Sequence, residues 1–157
     1  MSSENPATHF GVHLTIDGYG GDFDKLNERE VVYKFLNELP EELHMQKMHD
    51  PVLVAALGND KKDSGGWTGV VTIAESHISI HTFPARHFVS ADVYTCQNDL
   101  DQGYIIQYIT ELFGLKEVEQ HYIIRGTQYP VCDLSESKEP SGVTPNDLLY
   151  PDPNKKE

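Results

Sequence analysis

The chain has 157 residues, 25 acidic against 12 basic side chains and a formal net charge of -13, which suits one domain with a single core. No run of lysine or arginine offers the cationic stripe that a phosphate backbone requires, and the longest apolar runs, such as 52–57, fall far short of the roughly 20 residues that span a bilayer, so neither nucleic acid nor membrane is expected as a partner. The polar first residues read as no signal peptide, and two cysteines, Cys96 and Cys132, make no disulfide scaffold, which points to a reduced, cytoplasmic setting.

Residues 9–17 alternate, with Phe10, Val12, Leu14 and Ile16 on one face, and this predicts a first strand. Gly18, Gly20 and Gly21 break it, and Asp22 or Asp24 can cap a helix. Leu26, Val32, Phe35, Leu36 and Leu39 then recur at helical spacing until Pro40. Residues 45–48 and 52–57 read as extended segments on either side of the Asp50-Pro51 turn signal, and 58–66 as a polar loop. From Trp67 the chain turns β-rich: 67–74, 78–82 and 88–94 carry valine, isoleucine, threonine and aromatics in short runs, the pattern of antiparallel strands. Asn98 or Asp99 can cap a second helix, whose stripe of Ile105, Ile106, Ile109, Leu112 and Phe113 stops at Gly114, and 118–124 give a last strand. Residues 127–157 hold five of the nine prolines and little periodic hydrophobicity, which predicts a loosely ordered tail behind a domain of residues 1–126. The element order argues for an α+β two-layer sandwich, an antiparallel sheet with two helices on one face.

Chemistry concentrates between Thr68 and Cys96. Ser76 follows Glu75, His81 lies five residues beyond it, and Cys96 twenty. Serine or cysteine near histidine can mean nucleophilic catalysis, although such a pair in a β-rich stretch is more often structural. A metal site from His77 and His81 is disfavoured, because four residues of strand separate them by about 13 Å. A hydrolase elbow is disfavoured too, since Glu75-Ser76-His77 lacks the flanking glycines of that strained turn.

The segment Glu75-Ser76-His77-Ile78-Ser79-Ile80-His81-Thr82, with Cys96 twenty residues past the first serine, resembles the self-cleaving core of the prokaryotic S-adenosylmethionine decarboxylase proenzymes. The resemblance is detailed over residues 68–96 and looser, by element order, over 9–126. It implies that Ser76 attacks the carbonyl of Glu75, that the resulting ester is eliminated, and that Ser76 becomes a pyruvoyl group heading a chain of residues 76–157. It gives His81 the proton transfers of processing, a role suited to an imidazole, and Thr68 an assisting hydroxyl where relatives usually have serine. The pyruvoyl ketone would form a Schiff base with the substrate amine and act as electron sink for decarboxylation, as pyridoxal phosphate does, with Cys96 returning the proton. The implied cofactor is thus made from the chain, and no metal is expected.

Substrate contacts depart from the pattern. Where many relatives follow His-Thr, an aromatic residue and proline with a ribose-binding glutamate, this chain has Phe83-Pro84-Ala85. Phe83 remains available to stack on adenine or face a sulfonium. The implied product serves spermidine and other polyamine synthesis. The alternatives are the same chemistry on arginine or ornithine, or a regulatory homologue that does not process. The resemblance also implies a homodimer of cleaved protomers acting on a small molecule. His9, His13, His44, His49, His87 and His121 receive no role.

Overall fold

The computed structural model describes residues 9–59, 61–136 and 140–147. Six strands, β1 (Gly11–Tyr19), β2 (Val52–Ala56), β3 (Gly66–Ile73), β4 (Ser76–Phe83), β5 (Phe88–Thr95) and β6 (Glu117–Arg125), form one sheet in the order β2-β3-β4-β5-β1-β6. Every pairing is antiparallel. Three helices, α1 (Phe23–Asn27), α2 (Arg29–Glu42) and α3 (Gln102–Phe113), pack on one face of it. The architecture is the α+β two-layer sandwich expected from element order.

Period-2 alternation separates the two faces of the sheet. Val12, Leu14 and Ile16 of β1, Ile78 and Ile80 of β4, and Val89 and Val93 of β5 are buried beneath the helices with Phe35, Leu36, Leu39, Ile105, Ile109 and Phe113. Each such side chain contributes on the order of 1.5–3 kcal/mol by leaving water. The intervening residues, among them His13, Thr68, His77, Ser79, His81 and Asp92, lie on the opposite, open face. No helix covers that face among the described residues, so it carries the polar chemistry.

The structure departs from the sequence reading in four places. The first helix is two: Glu28 takes an extended backbone (φ -80°, ψ 118°), and the Trp67 indole N–H claims the Asn27 carbonyl at 2.7 Å. Pro40 does not end the second; it lies inside α2, and its own carbonyl accepts the Met45 N–H at 2.8 Å. Residues 45–48 make no strand, only one bridge between Lys47 and Ile73, because the Lys47 ammonium is drawn to Asn37 (2.7 Å) and Glu41 (3.1 Å) on α2. Asp101, not Asn98 or Asp99, caps α3 by accepting the Tyr104 N–H at 3.0 Å. The expected glycine stop is present: Gly114 sits at φ 64°, the left-handed conformation that favours glycine.

Beyond β6, the described residues of 127–147 are exposed and hold one 3₁₀ turn, Pro145–Asp147. Tyr129 packs edge-on against Phe10 with ring centroids 5.1 Å apart.

Candidate active site

The residues singled out by sequence fall into two groups at opposite ends of β4. At its start, β3 and β4 are joined by only Ala74 and Glu75. Two-residue hairpin loops demand positive φ and favour glycine; neither loop residue is glycine, and the positive φ appears at Ser76, at 148°. A serine held there is strained by about 1–3 kcal/mol. Ser76 pairs with the fully buried Thr95, and the Cys96 N–H donates to the Glu75 carbonyl at 2.7 Å. Glu75, Ser76 and Cys96 are therefore neighbours, with the Cys96 thiol free and exposed.

Gly11 makes this packing possible. A Cβ at that position would fall 2.1 Å from the Thr95 carbonyl oxygen and 2.8 Å from the Cys96 Cα, so β1 can approach the 95–96 backbone only without a side chain.

At the other end, the β3–β4 register sets Thr68 opposite His81, with Thr68 Oγ1 3.2 Å from His81 Nδ1. Phe83 lies two residues on, half-buried, its ring 5.6 Å from that of Phe88, which in turn lies 5.4 Å from Tyr19. These three rings, with Asn59, Lys62, Asp63 and Arg86, line a cleft of about 520 Å³. Desolvation of the Tyr19 phenol and the Glu119 carboxylate 3.2 Å from its hydroxyl raise its pKa above the ordinary value, which keeps it a proton donor. Five residues of strand separate Ser76 from His81 by about 16 Å. One chain does not bring them together.

Between the two ends, the open face holds a cluster that sequence spacing does not reveal. Asp92 of β5 receives His13 Nε2 of β1 at 2.6 Å, His77 Nε2 of β4 at 3.3 Å, and the Ser79 hydroxyl. His13 and Asp92 are 79 residues apart in the chain, and only the β1–β5 pairing makes them neighbours. The alternation of β1 and β5 was the available signal, since it assigns both to the open face.

Fold and site together define a class: an α+β sandwich whose central strand opens on a strained serine, with a cysteine amide on the preceding carbonyl. The S-adenosylmethionine decarboxylase family profile matches residues 12–126, and the chain belongs to that family. It is 34% identical over 116 residues to an S-adenosylmethionine decarboxylase proenzyme of Clostridium botulinum (strain Langeland), covering 74% of this chain and 94% of that one. A proenzyme of the same name from Brevibacillus brevis is 31% identical over 117 residues, 74% of this chain and 83% of its own. Among solved structures, the adenosylmethionine decarboxylase of Aquifex aeolicus VF5 superposes with a TM-score of 0.62 at 28% identity, covering 83% of this chain and 98% of that one.

Proposed function

We propose that this protein is a pyruvoyl-dependent S-adenosylmethionine decarboxylase that cuts itself between Glu75 and Ser76, and that its product serves polyamine synthesis. The observation that carries the reading is the state of that one peptide bond. Attack by the Ser76 hydroxyl puts negative charge on the Glu75 carbonyl oxygen, where the Cys96 N–H already donates at 2.7 Å, inside the range of an effective oxyanion donor. The shift of the acyl group from nitrogen to oxygen also frees the torsion held at 148°, so ground-state strain and charge stabilisation favour the same step.

The residues fit the pyruvoyl group that this cut would leave. It supplies a ketone conjugated to the His77 amide, an electron sink for loss of CO₂. Cys96, adjacent in register to residue 76, is placed to deliver the proton to the substrate carbon, and a reducing, cytoplasmic setting suits a thiol that must stay free.

His81 and Thr68 serve this bond only from a second copy of the chain. With about 16 Å between Ser76 and His81 along β4, a two-fold pairing of open faces supplies each strained serine with the partner's imidazole and hydroxyl and makes two identical sites. The apolar side chains exposed on that face, Val52, Val54, Val70 and Ile123, support such pairing. The proenzyme is therefore read as a homodimer.

The cleft beside His81 supports a nucleoside substrate. Tyr19, Phe83 and Phe88 offer stacking surfaces for adenine, and Asp63 on the cleft wall offers the carboxylate for ribose hydroxyls that Ala85 cannot. Lys62 and Arg86 line the same cleft and repel a guanidinium or ammonium side chain, which disfavours arginine and ornithine. Release of CO₂ from carboxyl-labelled S-adenosylmethionine, arginine and ornithine tests this. Turnover of the first alone is expected; turnover of either basic amino acid without the first would overturn the substrate assignment.

A further inference from the structure

The cluster around Asp92 reaches His77, the residue after Ser76, and Ser79, opposite Asp92 in register, yet neither processing nor proton return uses it. His13, His77 and Asp92 have ligand atoms all within 4.8 Å of one another, which invites reading them as a metal site. The group behind them argues otherwise. Arg125 Nη1 lies 3.3 Å from His13 Nδ1, and a guanidinium can only donate, so Nδ1 accepts and the ring proton of neutral His13 sits on Nε2. That nitrogen then donates to Asp92. A metal-binding imidazole needs the reverse, a bare nitrogen toward the ion and its other N–H given to an acceptor.

Asp92 is thus the single acceptor for three donors from two strands. His13 reaches it from β1 with Arg125 of β6 behind, and His77 and Ser79 reach it from β4. Arg125 is fixed in turn, its guanidinium carbon 4.3 Å from the centroid of the Tyr94 ring. Side-chain exposures of 16% for His13 and 20% for Asp92, against 38% for His77, put the anchored part inside and the held part at the rim. Hydrogen bonds to a charged carboxylate are the strong ones.

The cut changes what His77 is. Before it, residues 76–79 continue a hairpin; after it, residue 76 is a chain terminus and His77 the second residue, where strands fray. The hairpin connection that had held this end of β4 is gone. We propose that Asp92 is a positioning residue that clamps the new terminus through His77 and Ser79, keeping the group at residue 76 in register with Thr95 and Cys96 after the chain is broken. This rests on the reading of Ser76 as the cut site, and cutting is measured separately from clamping.

Three readouts on Asp92→Asn, His77→Ala and His77→Gln test it. Asn keeps the size of Asp92 and removes the charge, whereas Gln at 77 retains an N–H₂ donor in place of Nε2. Intact mass is expected to show Asp92→Asn cut to the wild-type extent. In the cleaved protein, hydrogen exchange at the amides of 77–79 is expected to rise at least tenfold in Asp92→Asn and His77→Ala, and kcat to fall by a similar factor with KM within about threefold of wild type. His77→Gln is expected to recover most of both.

Wild-type exchange and kcat in Asp92→Asn would overturn the clamp. So would failure of that variant to cut, which would place Asp92 in processing, and so would a His77→Gln as impaired as His77→Ala, which would make the imidazole itself the active group. Stoichiometric zinc in the purified protein, lost with activity on chelation, would restore the metal reading.

Discussion

Ser76 carries its strain because the hairpin before it is built without glycine: Ala74 and Glu75 make the two-residue loop, and the φ of 148° falls on the proposed nucleophile. Cys96 contributes in two separable ways, its backbone N–H to the Glu75 carbonyl and its free thiol to the proposed proton return. Cys96→Ala keeps the first and deletes the second. The variant is expected to cut normally by intact mass and to lose roughly 10²-fold or more in kcat, the scale of a lost general acid; unimpaired kcat would remove the thiol from the mechanism. Glu75, Ser76 and Cys96 were legible in the sequence because a short motif and one antiparallel register hold them together. His13 and Asp92 were not, because their contact depends on two strands 79 residues apart in the chain, and a histidine on an alternating strand carries no mark of its partner.

At the scale of elements, β1 is the strand on which the site leans. Its Gly11 passes so close to residues 95–96 that one added methyl group meets the Thr95 carbonyl oxygen at 2.1 Å. Gly11→Ala is expected to lower Tm by roughly 3–10 °C, the effect of about 1–3 kcal/mol of overpacking, and to slow cutting by shifting the Cys96 N–H off the Glu75 oxygen. Thermal denaturation and the rate of chain cleavage check the two parts, and an unchanged Tm with normal cutting would contradict this account of the packing. Strand alternation and helical stripes made the sheet and the main helices readable. The errors lay where a tertiary contact overrode a local signal: the Trp67 indole on the Asn27 carbonyl split the first helix, and the Lys47 ammonium drawn to α2 kept 45–48 from forming a strand.

The whole molecule divides its candidate site residues along one strand, with Glu75, Ser76 and Cys96 at one end of β4 and Thr68 with His81 at the other. A spacing of five residues reads as proximity in sequence, yet on an extended strand it is about 16 Å, and this is why the motif was legible in sequence while the separation of Ser76 from His81 was not. The open face that carries Thr68 and His81 has no cover among the described residues, and the proposed pairing with a second copy would complete two sites at once. The most direct test is intact-mass spectrometry of three preparations: wild type, His81→Ala alone, and His81→Ala co-expressed with Ser76→Ala. Wild type is expected to give residues 1–75 and a pyruvoyl-capped 76–157, and His81→Ala alone to stay whole. In the mixture the His81→Ala chain is expected to be cut, because its Ser76 meets the intact His81 of its partner. A wild-type chain that remains uncut while decarboxylating would contradict the cofactor, and a His81→Ala chain that cuts itself unaided would contradict the shared site.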